Sequence, residues 1–278
     1  MLFLLRRPAP PLDAYVESLW LCRAPHGART LELVLPTGAP QLIVNLAEDQ
    51  TRAYERRADR FHCRVSPGSI LTGVTTTYQI IDTDEQEHVA GVAFRPGGTV
   101  PFIAKPASAL RDVDAPLESL WGARGTARLR EQLLEAPTPH DVLEVLERAL
   151  LVAWSQRSLH PAVAFALSAF QARPSVARIR PVTDAISLSP TRFIDRFRAE
   201  VGVTPKRYCR LLRFQRTVAQ AHGSGRIDWA GLAASCGYVD QAHLIHEFRA
   251  FSGLTPTAYE AARTAFQNHV TFLQSADL

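Results

Sequence analysis

Apolar and polar residues alternate through the first hundred positions, and afterwards apolar residues recur every three or four. Leu31-Glu-Leu-Val-Leu35 alternates and stops at Pro36-Thr-Gly-Ala-Pro40. Gln41-Leu-Ile-Val-Asn-Leu46 is a β-branched apolar run of strand length. Ser69–Thr77, Tyr78–Asp82 and His88–Phe94 continue the pattern, which ends sharply at Arg95-Pro-Gly-Gly98. Short strands with Pro and Gly between them predict an antiparallel sandwich or barrel-like domain. Met1–Leu5 gives five apolar residues ahead of Arg6 and Arg7. A secretory signal puts its positive charge first and then runs about 7–15 apolar residues, so this start reads as a strand or its lead-in.

Helical spacing follows. Leu117, Leu120 and Trp121, then Leu129, Leu133 and Leu134, fit an amphipathic face. Thr138-Pro-His-Asp141 opens a second helix whose face is Val142, Leu143, Leu146, Leu150 and Ala153. These helices at about 117–153 either cover the sheet or pair with a second subunit. Trp154-Ser-Gln-Arg-Ser158 is the expected seam, giving a β-rich domain over 1–154 and an all-α domain over 155–278. In the second domain, helices are expected at Pro161–Ala172, Ser175–Ser187, Ser189–Glu200 and Pro205–Ala221, at Asp228–Cys236 and Asp240–Ser252, and from Pro256. The fold class is therefore α+β.

The all-α half repeats itself. Phe197-RAEVGVTPKR-Tyr208 returns as Phe248-RAFSGLTPTA-Tyr259, with seven of twelve positions identical. Each copy contains a capped helix with apolar residues four apart, Phe193 and Phe197 or Leu244 and Phe248. That face must be buried, which leaves the opposite face free to enter a groove. The preceding helices are expected at 176–186 and 228–236. Gly202 and Gly253 follow the second helix of each copy, where a left-handed residue closes a helix. The helix from Pro205 to Ala221 spans about 25 Å, against about 34 Å for one DNA turn.

Charge sharpens this picture. Residues 1–154 hold 16 basic and 19 acidic side chains, whereas residues 155–267 hold 15 and 7. A basic helical half beside a mildly acidic half fits nucleic-acid contact by one domain only. Helix starts and nearby polar groups, namely Ser189, Lys206, Arg207 and Thr255, suit phosphate positioning. No stretch approaches the roughly 18 apolar residues of a membrane span, so a cytoplasmic protein is expected. Cys22, Cys63, Cys209 and Cys236 form no Cys-x-x-Cys pair and no zinc spacing with histidine. The alternative is a cupin-type metal enzyme, or a metal or thiol sensor, fused to the helical module. His26, His62 and His88 are too scattered for the first, with no His-x-His. Cys63 has only His62 and Arg64 as basic neighbours in sequence for the second. Neither catalysis nor a cofactor is expected.

Gly237-YVDQAHLIHEF-Arg249, followed by Gly253-Leu-Thr-Pro256 and Tyr259, resembles the signature of the AraC/XylS family of bacterial transcription regulators. The resemblance covers about 160–266. It implies two helix-turn-helix subdomains joined by one helix and set on adjacent major-groove segments. It also implies base readers at Thr191, Arg192, Ile194 and Asp195, with Arg196 beside them, and at Gln241, Ala242, His243 and His246. Glutamine pairs with adenine, arginine with guanine, and aspartate accepts from cytosine N4. Where the family often has arginine this chain has Asp195, which either reads a base or pairs with Arg192 or Arg198. The β-rich half resembles, less strongly, the sensor or dimerisation domains that precede this module. Two roles stay open for it: a pocket for a small-molecule effector, or a homodimer interface. The expected partners are double-stranded DNA and, for an activator, RNA polymerase.

Overall fold

The computed structural model describes residues 2–24, 30–57, 60–83, 87–172, 188–223, 225 and 227–274. Its strands are β1 (Leu2–Arg6), β2 (Val16–Arg23), β3 (Thr30–Val34), β4 (Gln41–Asn45), β5 (Gln50–Arg57), β6 (Arg60–Pro67), β7 (Ser69–Thr72), β8 (Gln79–Asp82), β9 (His88–Phe94), β10 (Asp114–Pro116) and β11 (His269–Gln274). They form two antiparallel sheets, ordered β1-β2-β9-β4-β7-β10 and β11-β3-β8-β5-β6. The expected strand over 69–77 stops at Thr72; beyond it the Gly73 N–H donates to the Val113 carbonyl at 3.0 Å, and the backbone there lies too close to the Leu110 carbonyl to admit a Cβ.

The helices are α1 (Glu118–Trp121), α2 (Ala123–Glu135), α3 (Pro139–Ala153), α4 (Pro161–Ala172), α5 (Pro190–Val201), α6 (Pro205–His222), α7 (Trp229–Ser235), α8 (Gln241–Ser252) and α9 (Pro256–Ala262). The helix expected over 175–187 lies outside the described residues. Caps explain the starts. Thr138 and Asp141 form a reciprocal capping box at α3, and the Thr204, Asp228, Asp240 and Thr255 side chains each accept a first-turn N–H.

Strand alternation sets four layers. On the first sheet Leu42, Val44, Leu71, Ala90 and Val92 face α2 and α3, packing with Leu129, Leu133, Leu143, Leu146 and Leu150. The helices at 117–153 therefore cover the sheet, the first of the two outcomes left open by the sequence. Leu134 departs from the expected face and is 52% exposed. The opposite positions, Ile43, Asn45, Ile70, Thr72 and Val89, face the second sheet across a narrow cavity of mixed polar and apolar lining. Gly91 leaves room for the Trp20 ring of the neighbouring strand: a Cβ there would lie 2.4 Å from it.

On the second sheet, Leu31, Leu33 and Ile80 face the helical module and share one core with Phe193, Phe197, Phe214, Phe248 and Phe251. Strand β11 follows the last helix and pairs with β3, Val270 opposite Leu33. No strand is expected there from the sequence. The chain thus leaves the sheets near Ser155, builds the helical module, and returns to the second sheet.

Candidate nucleic-acid interface

Each candidate reading helix is anchored by its inner face. Phe193, Phe197 and Val201 of α5 are fully buried, and Phe193 and Phe197 stack edge-on at 5.7 Å. Leu244, Phe248 and Phe251 do the same for α8. Both helices rest on α6: Tyr208 lies 5.7 Å from Phe197, and Phe214 lies 5.3 Å from Phe248. One 18-residue helix, about 27 Å long, therefore carries both units. Gly202 (φ 95°) and Gly253 (φ 72°) close α5 and α8 in the left-handed region, as their positions in the repeat predict.

The outer faces are open. Thr191, Arg192, Ile194, Asp195 and Arg196 are exposed on α5, as are Gln241, Ala242 and His246 on α8. Among the described residues Asp195 makes no ion pair with Arg192 or Arg198. Arg196 reaches back to Glu200 at 3.4 Å. His243 is half-buried: its Nδ1 accepts the Val239 N–H at 3.3 Å, its ring meets Tyr238 edge-on, and its Nε2 lies 3.7 Å from Glu247. Its reach is therefore more fixed than that of His246.

The residues read as phosphate contacts divide. Ser189 is exposed at the start of α5 and caps nothing with its side chain, and Lys206 is exposed in the first turn of α6. The Thr255 hydroxyl accepts the Ala258 N–H at 3.0 Å. Arg207 points the other way, donating to the Thr76 carbonyl of the sheet domain at 3.2 Å.

Glu247 is the residue that sequence reasoning passed over. Although charged, it is 4% exposed, on the inner face of α8. It accepts from Arg210 Nε at 2.5 Å and faces Arg213 at 3.4 Å, while Arg210 lies over Phe251 and Arg213 over Tyr238. Two arginines of α6 thus hold α8 through one carboxylate. The signal was its position three residues after buried Leu244.

One segment of the sheet domain touches both units. A Cβ on Gly253 would lie 2.4 Å from the Tyr78 ring, and one on Gly202 would lie 3.4 Å from Val74. The Tyr78 N–H donates to the Phe251 carbonyl at 2.9 Å. Between them the Thr76 N–H and hydroxyl donate to the Asp112 carboxylate at 2.6 and 2.9 Å. The residues from Val74 to Tyr78 therefore span the C-terminal ends of both candidate reading helices.

Among the described residues no three His, Cys, Asp or Glu side chains gather as metal ligands, so the cupin-type alternative finds no donor set there. Burial pushes the Cys209 thiol up to about 11, whereas Cys63 is exposed on β6. No helix among the described residues is long and apolar enough to cross a membrane.

The bare outer faces, buried inner faces and shared strut form a paired-helix module, and residues 182–262 match the model of a helix-turn-helix domain. Residues 6–116 match a domain of unknown function, DUF6597. The two matches divide the chain into a β-rich N-terminal domain and a helix-turn-helix domain behind it. Among solved structures it is similar to ToxT from Vibrio cholerae. An apo variant from strain SCE256 has 8% identity and a TM-score of 0.43, over 87% of this chain and 96% of that one. The P21 form has 9% identity and a TM-score of 0.44, over 87% and 97%. The wild type bound to an unsaturated fatty acid has 7% identity and a TM-score of 0.43, over 86% and 96%. No curated protein sequence matches significantly.

Proposed function

We propose that this chain is a sequence-specific transcription regulator that lays α5 and α8 in successive major-groove segments of one duplex. The observation that carries it is the pairing of two helices on one strut, each with a buried apolar face and a bare polar one. Arg192 and Asp195 on α5, and Gln241, His243 and His246 on α8, read bases, with Thr191 and Arg196 beside them. Ser189, Lys206 and Thr255 position phosphates. Arg207 joins them only after releasing Thr76.

Anisotropy titrations against a selected operator test this. Arg192→Ala and Gln241→Ala each relax preference at one or two base positions, by about 1–3 kcal/mol. Lys206→Ala weakens every sequence alike and lowers the salt slope by about one. Equal, salt-like losses from all three reject the assignment.

The N-terminal domain is read as the regulatory half. Since α2 and α3 spend their apolar faces on the first sheet, effector response is better supported than dimerisation through those helices. The bridge at 74–78 supplies the route. It leads into β8, whose Gln79 and Ile81 line the cavity between the sheets together with Asn45, Arg52, Thr72 and Asp114. At about 70 Å³ that cavity holds waters or a very small polar molecule. A thermal-shift screen with small polar metabolites tests the reading. A ligand that raises the midpoint and alters operator affinity supports it; a screen in which no binder changes operator affinity overturns it.

A further inference from the structure

A second concavity lies away from both the candidate DNA surface and the inter-sheet cavity. It is a groove of about 760 Å³ between α2, α3 and the segment 101–104. That volume falls within the range of about 300–1,000 Å³ typical of small-molecule sites. Its floor is apolar, made by Phe102, Trp121 and Leu129. The Trp121 indole N–H is satisfied by the Phe102 carbonyl at 2.9 Å, so the ring is locked as a wall. Val152 is 88% exposed, an apolar side chain left in water beside the groove.

The rim carries one sign of charge. Arg124, Arg128, Arg148 and Arg157 line the groove, and no carboxylate does. Arg157 is tied to the Ile103 carbonyl, and Arg148 lies 3.8 Å from Glu144. Arg124 and Arg128 have no partner among the described residues. They stand one turn apart on α2, where like charges repel. Arg124 is also in the first turn, where the helix dipole disfavours a cation. Neither arginine gains an ion pair within the helix. An anion between them relieves both conflicts, and an apolar body attached to it covers Trp121 and Val152.

We infer that this groove binds a free amphipathic anion, a small molecule with an apolar body and one carboxylate-, sulfonate- or phosphate-type head held by Arg124 and Arg128. The inference is independent of the DNA-binding assignment. Its test uses the full chain with two fluorescent dyes of similar body: 1-anilinonaphthalene-8-sulfonate, which is anionic, and N-phenyl-1-naphthylamine, which is neutral. Two variants separate head from body. Arg124→Gln/Arg128→Gln removes the charge. Gly125→Trp fills the groove, since a Cβ at Gly125 meets nothing within 4 Å.

The expected result is one sulfonate dye per chain, weakened about tenfold or more by the double variant. The neutral dye holds its affinity in the double variant, and both dyes are lost in Gly125→Trp. Circular dichroism and thermal midpoints confirm that both variants fold. Sulfonate binding that neither variant alters, or equal loss of both dyes in the double variant, overturns the inference. So does sedimentation showing a dimer that Gly125→Trp dissociates, because a second copy would then fill the groove. Sedimentation of the chain with phosphatidylserine vesicles, abolished by the double variant, would put a membrane surface there and overturn it equally.

Discussion

On the inner face of α8 lie Leu244, Glu247, Phe248 and Phe251; on that of α5 lie Phe193, Phe197, Glu200 and Val201. The apolar frames match, but the two buried carboxylates serve different neighbours. Glu247 is bound by Arg210 and Arg213 from α6, inside the helical module. Glu200 accepts the His160 N–H at 2.9 Å, tying α5 to the start of α4 at the seam. Unit two is therefore held from within, and unit one by the segment that enters from the sheets. Unit one also packs on the 3-10 turn Ala107–Leu110 of the sheet domain. A signal arising among the sheets has a shorter path to α5 than to α8, except through Tyr78.

Chemical denaturation of paired substitutions sharpens that contrast. The largest losses are expected from Phe197→Ala and Phe248→Ala, about 3–5 kcal/mol each. Similar values are expected because both rings are fully buried, and a clear inequality would break the common-frame reading. Glu247→Ala leaves two arginines facing an emptied site and should cost about 3 kcal/mol or more. Glu200→Ala loses the His160 N–H bond and the longer, more exposed Arg196 contact and should cost about 1.5–3 kcal/mol; a larger cost there than at Glu247 would reverse the comparison. Gly202→Ala and Gly253→Ala each force a left-handed alanine at about 1–2 kcal/mol. Gly253→Ala should cost more, since its Cβ meets the Tyr78 ring, and Tyr78→Ala should remove the excess. Smallest is the cap pair. Asp240→Ala should cost about 1 kcal/mol, and Ser189→Ala, which breaks no cap bond, within about 0.5 kcal/mol.

The helical module was legible because its signals are local. Thr204, Asp228, Asp240 and Thr255 cap helices that start where the sequence places them, and the spacing of Phe193 with Phe197, or Leu244 with Phe248, identified the buried face without a partner in view. The strands over 16–23, 50–57 and 60–67 were harder. In β5 and β6, charged residues such as Arg52, Glu55, Arg56 and Arg64 interrupt the apolar alternation. Strand β11 was out of reach, since its reason for being a strand is β3, more than two hundred residues earlier. Arg207 shows the same limit at the candidate site. Its charge and place at a helix start suit a phosphate, and only the tertiary fold puts the Thr76 carbonyl within its grasp. Which outer-face side chains meet bases depends on a duplex, and spacing alone does not rank them.

Strand β11 makes the helical module an insertion rather than an appendage. A reader hung from one tether swings freely and loses orientational information as it does so. This one is moored at two ends, through the seam at 155 and through the pairing of Val270 with Leu33. Any excursion onto DNA is then a turn about the line joining the two moorings, and its amplitude is limited by how far the last strand can be peeled. Cutting the chain after Ala262 would leave every candidate reading residue intact and turn a hinged gate into a loose pendant.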